Sequence, residues 1–151
     1  MSGTLVTSSV APLLAAPSLR SEQVSQLVLG EGAMVLETQG DMLRVRTVLD
    51  GYQGWLAAGY VERVAASEVE EWLRESWWSQ GALLDSEDAI AIRAPHRSRL
   101  RVEGDGGIRL PDGRSAVVIS GSVVPQDDMV RAARAEAPAA WAWREFAGTP
   151  Y

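Results

Sequence analysis

The side chains that carry most protein chemistry are scarce in this sequence. There is no cysteine, and His96 is the one histidine among 151 residues. Without cysteine there is no thiolate nucleophile, no thiolate metal ligand and no disulfide. A lone histidine cannot form a zinc site by itself, and no nucleophile elbow accompanies it for a Ser–His–Asp arrangement. The reading is therefore no catalytic residues, no metal and no cofactor, with His96 as a surface histidine. Asp127-Asp128 read as helix-start residues, and Gly104-Asp105-Gly106-Gly107 as a hairpin turn, because no strand-then-helix context surrounds it.

What remains is side chains suited to recognition. Tyr52 stands in a turn-like Asp50-Gly51-Tyr52, where a phenolic oxygen can project into solvent and accept from an ammonium. Trp55 follows Gly54 and reads either as a core side chain or as a platform beside a groove. Trp77 and Trp78 are adjacent, so an extended backbone sends them to opposite sides, one packing between units. Arg93, His96, Arg97, Arg99 and Arg101 form the densest basic stretch, which is either an anion-binding patch or a solvated face. The formal net charge is -6 and no lysine occurs, which argues against nucleic acid as a partner.

Several kinds of element must position these residues. Residues 5–64 read as short strands broken by Gly and Asp turns; Leu43, Val45 and Thr47 alternate with Arg44 and Arg46, the period of a half-buried strand. Ser67-Glu68-Val69-Glu70 opens like a helix cap, and Val69, Trp72 and Leu73 fall on one helical face. From Leu83 the strand pattern resumes. Residues 127–147 are alanine-rich and helical in pattern, with Pro138 dividing them into two short helices or a kinked one.

The chain also repeats itself. Asp50-Gly51-Tyr52-Gln53-Gly54-Trp55-Leu56-Ala57-Ala58-Gly59-Tyr60-Val61 matches Asp112-Gly113-Arg114-Ser115-Ala116-Val117-Val118-Ile119-Ser120-Gly121-Ser122-Val123 at a constant offset of 62. Aligning Ala16-Pro17 with Ala94-Pro95 leaves 33 positions to the turn in the first copy and 17 in the second. The expected fold is all-β: two tandem small barrels, a short helical linker and a helical C-terminal tail. The expected domains are 1–65, a linker at 66–80, an abbreviated second barrel at 81–126, and a tail at 127–151.

Asp50-Gly51-Tyr52-Gln53-Gly54-Trp55, with Ser21-Glu22-Gln23-Val24-Ser25-Gln26 upstream and Gly30-Glu31 between, resembles bacterial SH3 domains. More narrowly, it is similar to the first such domain of NlpC/P60 cell-wall peptidases of the γ-D-glutamyl-diamino-acid endopeptidase type. The segment from Trp77-Trp78 through Ala94-Pro95 to Val123-Val124-Pro125 is similar to the second domain of that architecture. Phe146-Ala147-Gly148-Thr149-Pro150-Tyr151 resembles the lead-in to its catalytic domain. The family's Asp-Cys-Ser-Gly nucleophile motif and its catalytic histidine are not in this sequence, so hydrolase activity does not carry over to it.

The resemblance implies a non-catalytic module that recognises and positions a peptidoglycan stem peptide or muropeptide. It implies that Tyr52 helps bind the free amine of a short wall peptide, with Glu22 as the first carboxylate candidate and Glu31 as the second. An NlpC/P60 catalytic domain is an implied partner; Trp141, Trp143 and Phe146 would give the tail an apolar patch through which the chain self-associates. The alternatives are a generic SH3-like adaptor for a protein partner, or the regulatory half of a split peptidase. No membrane span is expected, since no apolar run nears roughly 18 residues. The missing export signal points to the cytoplasm, while the resemblance points to the cell envelope.

Overall fold

The computed structural model describes residues 1–148; the end of the lead-in segment, residues 149–151, lies outside them. Seven strands form the first sheet: β1 Ser2–Val6, β2 Val10–Leu14, β3 Gln23–Val28, β4 Gly32–Gln39, β5 Met42–Thr47, β6 Gln53–Ala57 and β7 Val61–Ala65. Helix α1, Ala66–Glu75, follows. The second sheet holds β8 Trp77–Ser79, β9 Ala82–Ser86, β10 Ala91–Ala94, β11 Arg99–Val102, β12 Ile108–Arg109, β13 Ser115–Ser120 and β14 Val123–Val124. Two helices close the described chain, α2 Gln126–Arg134 and α3 Pro138–Phe146.

The strand orders are β3-β2-β6-β5-β4-β1-β7 and β10-β9-β13-β12-β11-β8-β14. Adding seven to each label of the first order gives the second, so the sequence repeat is a repeat of topology. β6 begins at Gln53 and β13 at Ser115, which keeps the offset of 62. The Ala-Pro alignment does not hold: Ala16 lies between β2 and β3, whereas Ala94 ends β10, the counterpart of β3. The shortening of the second copy is instead spread over several elements. β4 and β5 have eight and six residues, while β11 and β12 have four and two.

Alternation explains which faces are buried. Leu43, Val45 and Thr47 of β5 turn inward while Arg44 and Arg46 stay exposed. The first core gathers Val6, Ala11, Leu13, Leu27, Ala33, Leu43, Val45 and Leu56. The second gathers Ala82, Leu84, Ala94, Leu100, Ile108, Leu110 and Ala116, and it includes Leu29, contributed from beyond the end of β3. The two units are thus joined by a side chain that one lends to the other.

Helix α1 buries Val69 and Trp72 against Leu5 of the first sheet, as the one-face pattern predicts. Its start differs from the sequence expectation. The N-cap is Ala65 rather than Ser67, and Glu68 reaches back to accept the Ala65 N–H at 3.3 Å. The acidic half of a capping box is therefore present without the hydroxyl half. Trp77 and Trp78 belong to β8 rather than to the helical segment. Pro138 occupies the first turn of α3, so the tail is two helices. No helix among the described residues is long and apolar enough to cross a membrane.

Candidate functional site

The turn between β5 and β6 is built by its own side chains. The Thr47 hydroxyl donates to the Asp50 carboxylate, and the Tyr52 N–H lies 3.0 Å from the Thr47 oxygen and 3.2 Å from Asp50 Oδ1. Gly51 takes a φ of +73°, which a residue with a Cβ adopts only at a cost. The Thr47 hydroxyl, then the Tyr52 N–H, hold the Asp50 carboxyl below its usual range. This fixed turn presents Tyr52, 44 % exposed.

The second copy repeats the turn but not the free side chain. Asp112 Oδ1 accepts the Arg114 N–H at 3.1 Å, and Gly113 has a φ of +89°. Arg114, which replaces the tyrosine, is tied to Asp112 at 2.8 Å and to Asp88 at 3.4 Å. Among the described residues, the Tyr52 side chain has no such partner.

Glu22 is exposed just before β3, and its carbonyl accepts the Ala15 N–H at 2.9 Å. Because Leu14 pairs with Trp55 of β6, Glu22 and Tyr52 stand at the same end of the first sheet. Trp55 is half-buried and lies outside the core cluster, on the pairing positions of Leu14 and exposed Arg44. Its strand neighbours Gly54 and Leu56 are the buried ones. Trp55 is thus not one of the core side chains of the first unit.

Glu31 is in a different setting, 7 % exposed, where the two units meet. Two backbone segments run against each other here, Leu29–Glu31 and Arg97–Arg99. The Arg99 N–H donates to the Leu29 carbonyl at 2.8 Å. Gly30 has a φ of +79°, and a Cβ there would sit 1.8 Å from the Arg99 carbonyl oxygen. Trp72 of α1 completes the joint, donating its indole N–H to the Gly30 carbonyl at 3.0 Å.

Above this joint lies a cleft of about 440 Å³, walled by the Thr47–Asp50 turn, Leu27, Leu73 and Trp78. Glu31 Oε2 accepts the Val28 N–H at 2.9 Å, and its Oε1 is 2.6 Å from Arg97 Nε without hydrogen-bond alignment. Burial pushes the Glu31 carboxyl up; the Val28 N–H and the Arg97 and Arg99 guanidinium groups pull against it without cancelling it. Arg99 is only 8 % exposed; its Nε donates to Ser76 Oγ at 2.9 Å, and its Nη2 bonds the Leu73 carbonyl and Gln126. Its guanidinium lies 4.9 Å from the Trp78 ring centroid.

Of the sequence-predicted site residues, Tyr52, Glu22 and Trp55 share one sheet end, while Glu31 sits in the adjoining cleft. Asp50 belongs to both, walling the cleft two residues before Tyr52. Arg97 and Arg99 were visible only as part of a basic stretch, whose members take different roles. Arg101 lies 5.2 Å over the Trp72 ring and pairs with Glu75 at 3.1 Å, a structural position.

His96 is not the surface histidine expected. Its side chain is 21 % exposed, 4.7 Å from the Phe146 ring centroid and 3.7 Å from Glu145 of α3. Burial lowers its pKa, and Glu145 partly restores it. Trp141 joins this cluster, while Trp143 remains 77 % exposed. Of the expected apolar tail patch, Trp143 and, at 37%, Phe146 stay exposed, while Trp141 is partly covered.

Comparison with known proteins adds the following. Residues 13–59 match the family model of the bacterial dipeptidyl-peptidase SH3 domain. No curated protein sequence matches the chain. Among solved structures, it is similar to an NlpC/P60 family protein from Bacillus cereus ATCC 10987, with a TM-score of 0.62 at 18% identity over 83% of this chain. It is also similar to an NlpC/P60 endopeptidase from Photobacterium damselae subsp. piscicida, with a TM-score of 0.58 at 14% identity over 82% of this chain. The chain spans 55% of the first structure and 33% of the second.

Proposed function

We propose that this chain, which carries a bacterial SH3 domain and shares its fold with NlpC/P60 family proteins, is a non-catalytic module that recognises and positions peptidoglycan-derived peptides. In this reading each seven-stranded sheet curls into an SH3-like barrel. The first barrel supplies the site, and an NlpC/P60 catalytic domain is its working partner at the cell wall. The observation that carries the reading is the exposed Tyr52 side chain beside the Asp-Gly turn. The Thr47–Asp50 turn holds Tyr52 out at a sheet end shared with Glu22, and the second copy has Arg114 locked in that place.

A short wall peptide brings one ammonium and at least one carboxylate. Tyr52 and Glu22 take the ammonium, the phenolic oxygen accepting a hydrogen bond and the carboxylate supplying the charge. Trp55 is the apolar wall beside them. Glu31, the second carboxylate candidate, stands in the adjoining cleft against Arg97. Demanding a free amine is effective selection, because blocking it leaves both acceptors unpaired.

Titration of the isotope-labelled protein with L-Ala-γ-D-Glu, followed by NMR, tests the reading. Amide shifts centred on Glu22 and on residues 50–55 are expected. N-acetylating the peptide, or substituting Tyr52→Phe or Glu22→Gln, should weaken binding by about three- to tenfold. A peptide that binds equally well with its amine blocked would rule the site out.

A further inference from the structure

The cleft between the two units carries charges that a peptide-amine site does not need. Three arginines line it, Arg74, Arg97 and Arg99, against two carboxylates, Glu31 and Asp50. The balance is one positive charge in a space about as large as small-ligand sites of roughly 300–1,000 Å³. Arg99 is held rigid by Ser76, Leu73 and Gln126, all through Nε and Nη2. Among the described residues its Nη1 has no partner.

Arg97 bears the sign of a residue placed for a purpose. It has a φ of +79°, one of two residues other than glycine in that region among those described. A long side chain there costs of order 1–3 kcal/mol and persists only where its surroundings hold it. Its N–H bond to the Ser79 carbonyl, at 3.0 Å, fixes the backbone and directs the side chain toward Glu31. Even so, the side chain is 40% exposed; its Nη2 donates to Glu31 Oε2 only at 3.5 Å, and its Nε is not aligned with the carboxylate.

We propose that Arg97 and Arg99 form a carboxylate-binding pocket between the two units, with Glu31 as the internal counter-ion that an incoming carboxylate displaces from Arg97. The ligand class is a monoanionic carboxylate on a short, partly apolar chain, such as the α-carboxylate of a γ-linked glutamate. Leu27, Val48, Leu49 and Trp78 supply the apolar wall. One surplus positive charge suits a carboxylate better than a phosphate dianion. The identification of that carboxylate with a wall peptide rests on the preceding section; the pocket itself does not.

Glu31 gives the pocket a pH dependence with a defined sign. The groups that face it are Arg97 and Arg99, with Arg74 and Asp50 across the cleft. Its carboxyl is pushed up, so acidification neutralises it before an ordinary glutamate and frees Arg97. Carboxylate affinity should rise as pH falls from about 8 to about 5.5, and Glu31→Gln should abolish that slope.

The test uses the full chain and N-acetyl-D-glutamine, whose one charge is its α-carboxylate and which has no amine for Tyr52 and Glu22 to bind. Shifts at Glu31, Arg97 and Arg99, with Tyr52 unmoved, are expected by NMR. Arg97→Gln should weaken binding about tenfold, and Glu31→Gln should tighten it about threefold at neutral pH. Arg97→Gly, which suits the φ of +79°, removes the guanidinium without backbone strain and should weaken binding equally. Silence at these residues up to about 50 mM ligand, weaker binding in Glu31→Gln, or tighter binding of inorganic phosphate overturns the proposal. Shifts at the arginines together with a silent Tyr52 in the L-Ala-γ-D-Glu titration would support the pocket and sink the amine site alone.

Discussion

Gly30 shows how much one residue can hold. Its backbone occupies a left-handed conformation, and the space where a Cβ would go is already filled by the Arg99 carbonyl. Gly30→Ala is expected to cost about 2–4 kcal/mol, read as a lower urea midpoint. Trp72→Phe, which removes only the donor to the Gly30 carbonyl, should cost about 1 kcal/mol. Asp50 sets a pH limit on the neighbouring turn. Its carboxyl is held below the ordinary value of 3.8, so it binds its proton less readily folded than unfolded. The stability it lends is complete above that value and is lost as pH falls through the folded one. Asp50→Asn should flatten the acid limb of a stability–pH curve below about pH 4.

Among the elements, α1 has the most legible logic and one correctable weakness. Val69 and Trp72 bury one face, Glu68 caps from within, and Ser76 and Leu73 at its far end receive Arg99. The first position lacks a hydroxyl because Ala65 ends β7. Ala65→Ser should therefore stabilise the protein by about 0.5–1 kcal/mol, seen as a higher thermal midpoint. No change, or a fall, would mean that pairing of Ala65 with Ser2 in the sheet outweighs the cap. The Asp-Gly turns compare two versions of one element. The backbone devices survive in both copies, while the side chain that follows is free in one and locked in the other.

At the scale of the molecule, the two units share material rather than merely touching. Leu29 is fully buried in the second core though it follows β3 of the first sheet. Trp72, from the helix between them, binds the adjacent carbonyl. One cooperative transition is expected, with tryptophan fluorescence and far-UV circular dichroism coinciding. Leu29→Ala should cost about 2–5 kcal/mol and separate the two signals. Coincident curves with an unchanged midpoint would show that the units do not depend on this side chain.

The sequence alone determined what is local and periodic. The alternation in β5, the helical face of α1, Pro138 as the divider of the tail, and the offset between Asp50-Gly51 and Asp112-Gly113 each depend on neighbours within a few residues. Tyr52 and Glu22 became candidates through motif and resemblance for the same reason. Tertiary structure decided everything that depends on segments far apart in the chain. Glu31 meets Arg97 across 66 positions, and Leu29 joins a core that begins more than fifty residues later. The misplaced Ala-Pro alignment has the same cause, since equal dipeptides need not occupy equal positions in a topology. His96 drew its surroundings from α3, which no spacing near it announces. Local backbone preference is written residue by residue; which surfaces meet is fixed only when the two sheets pack.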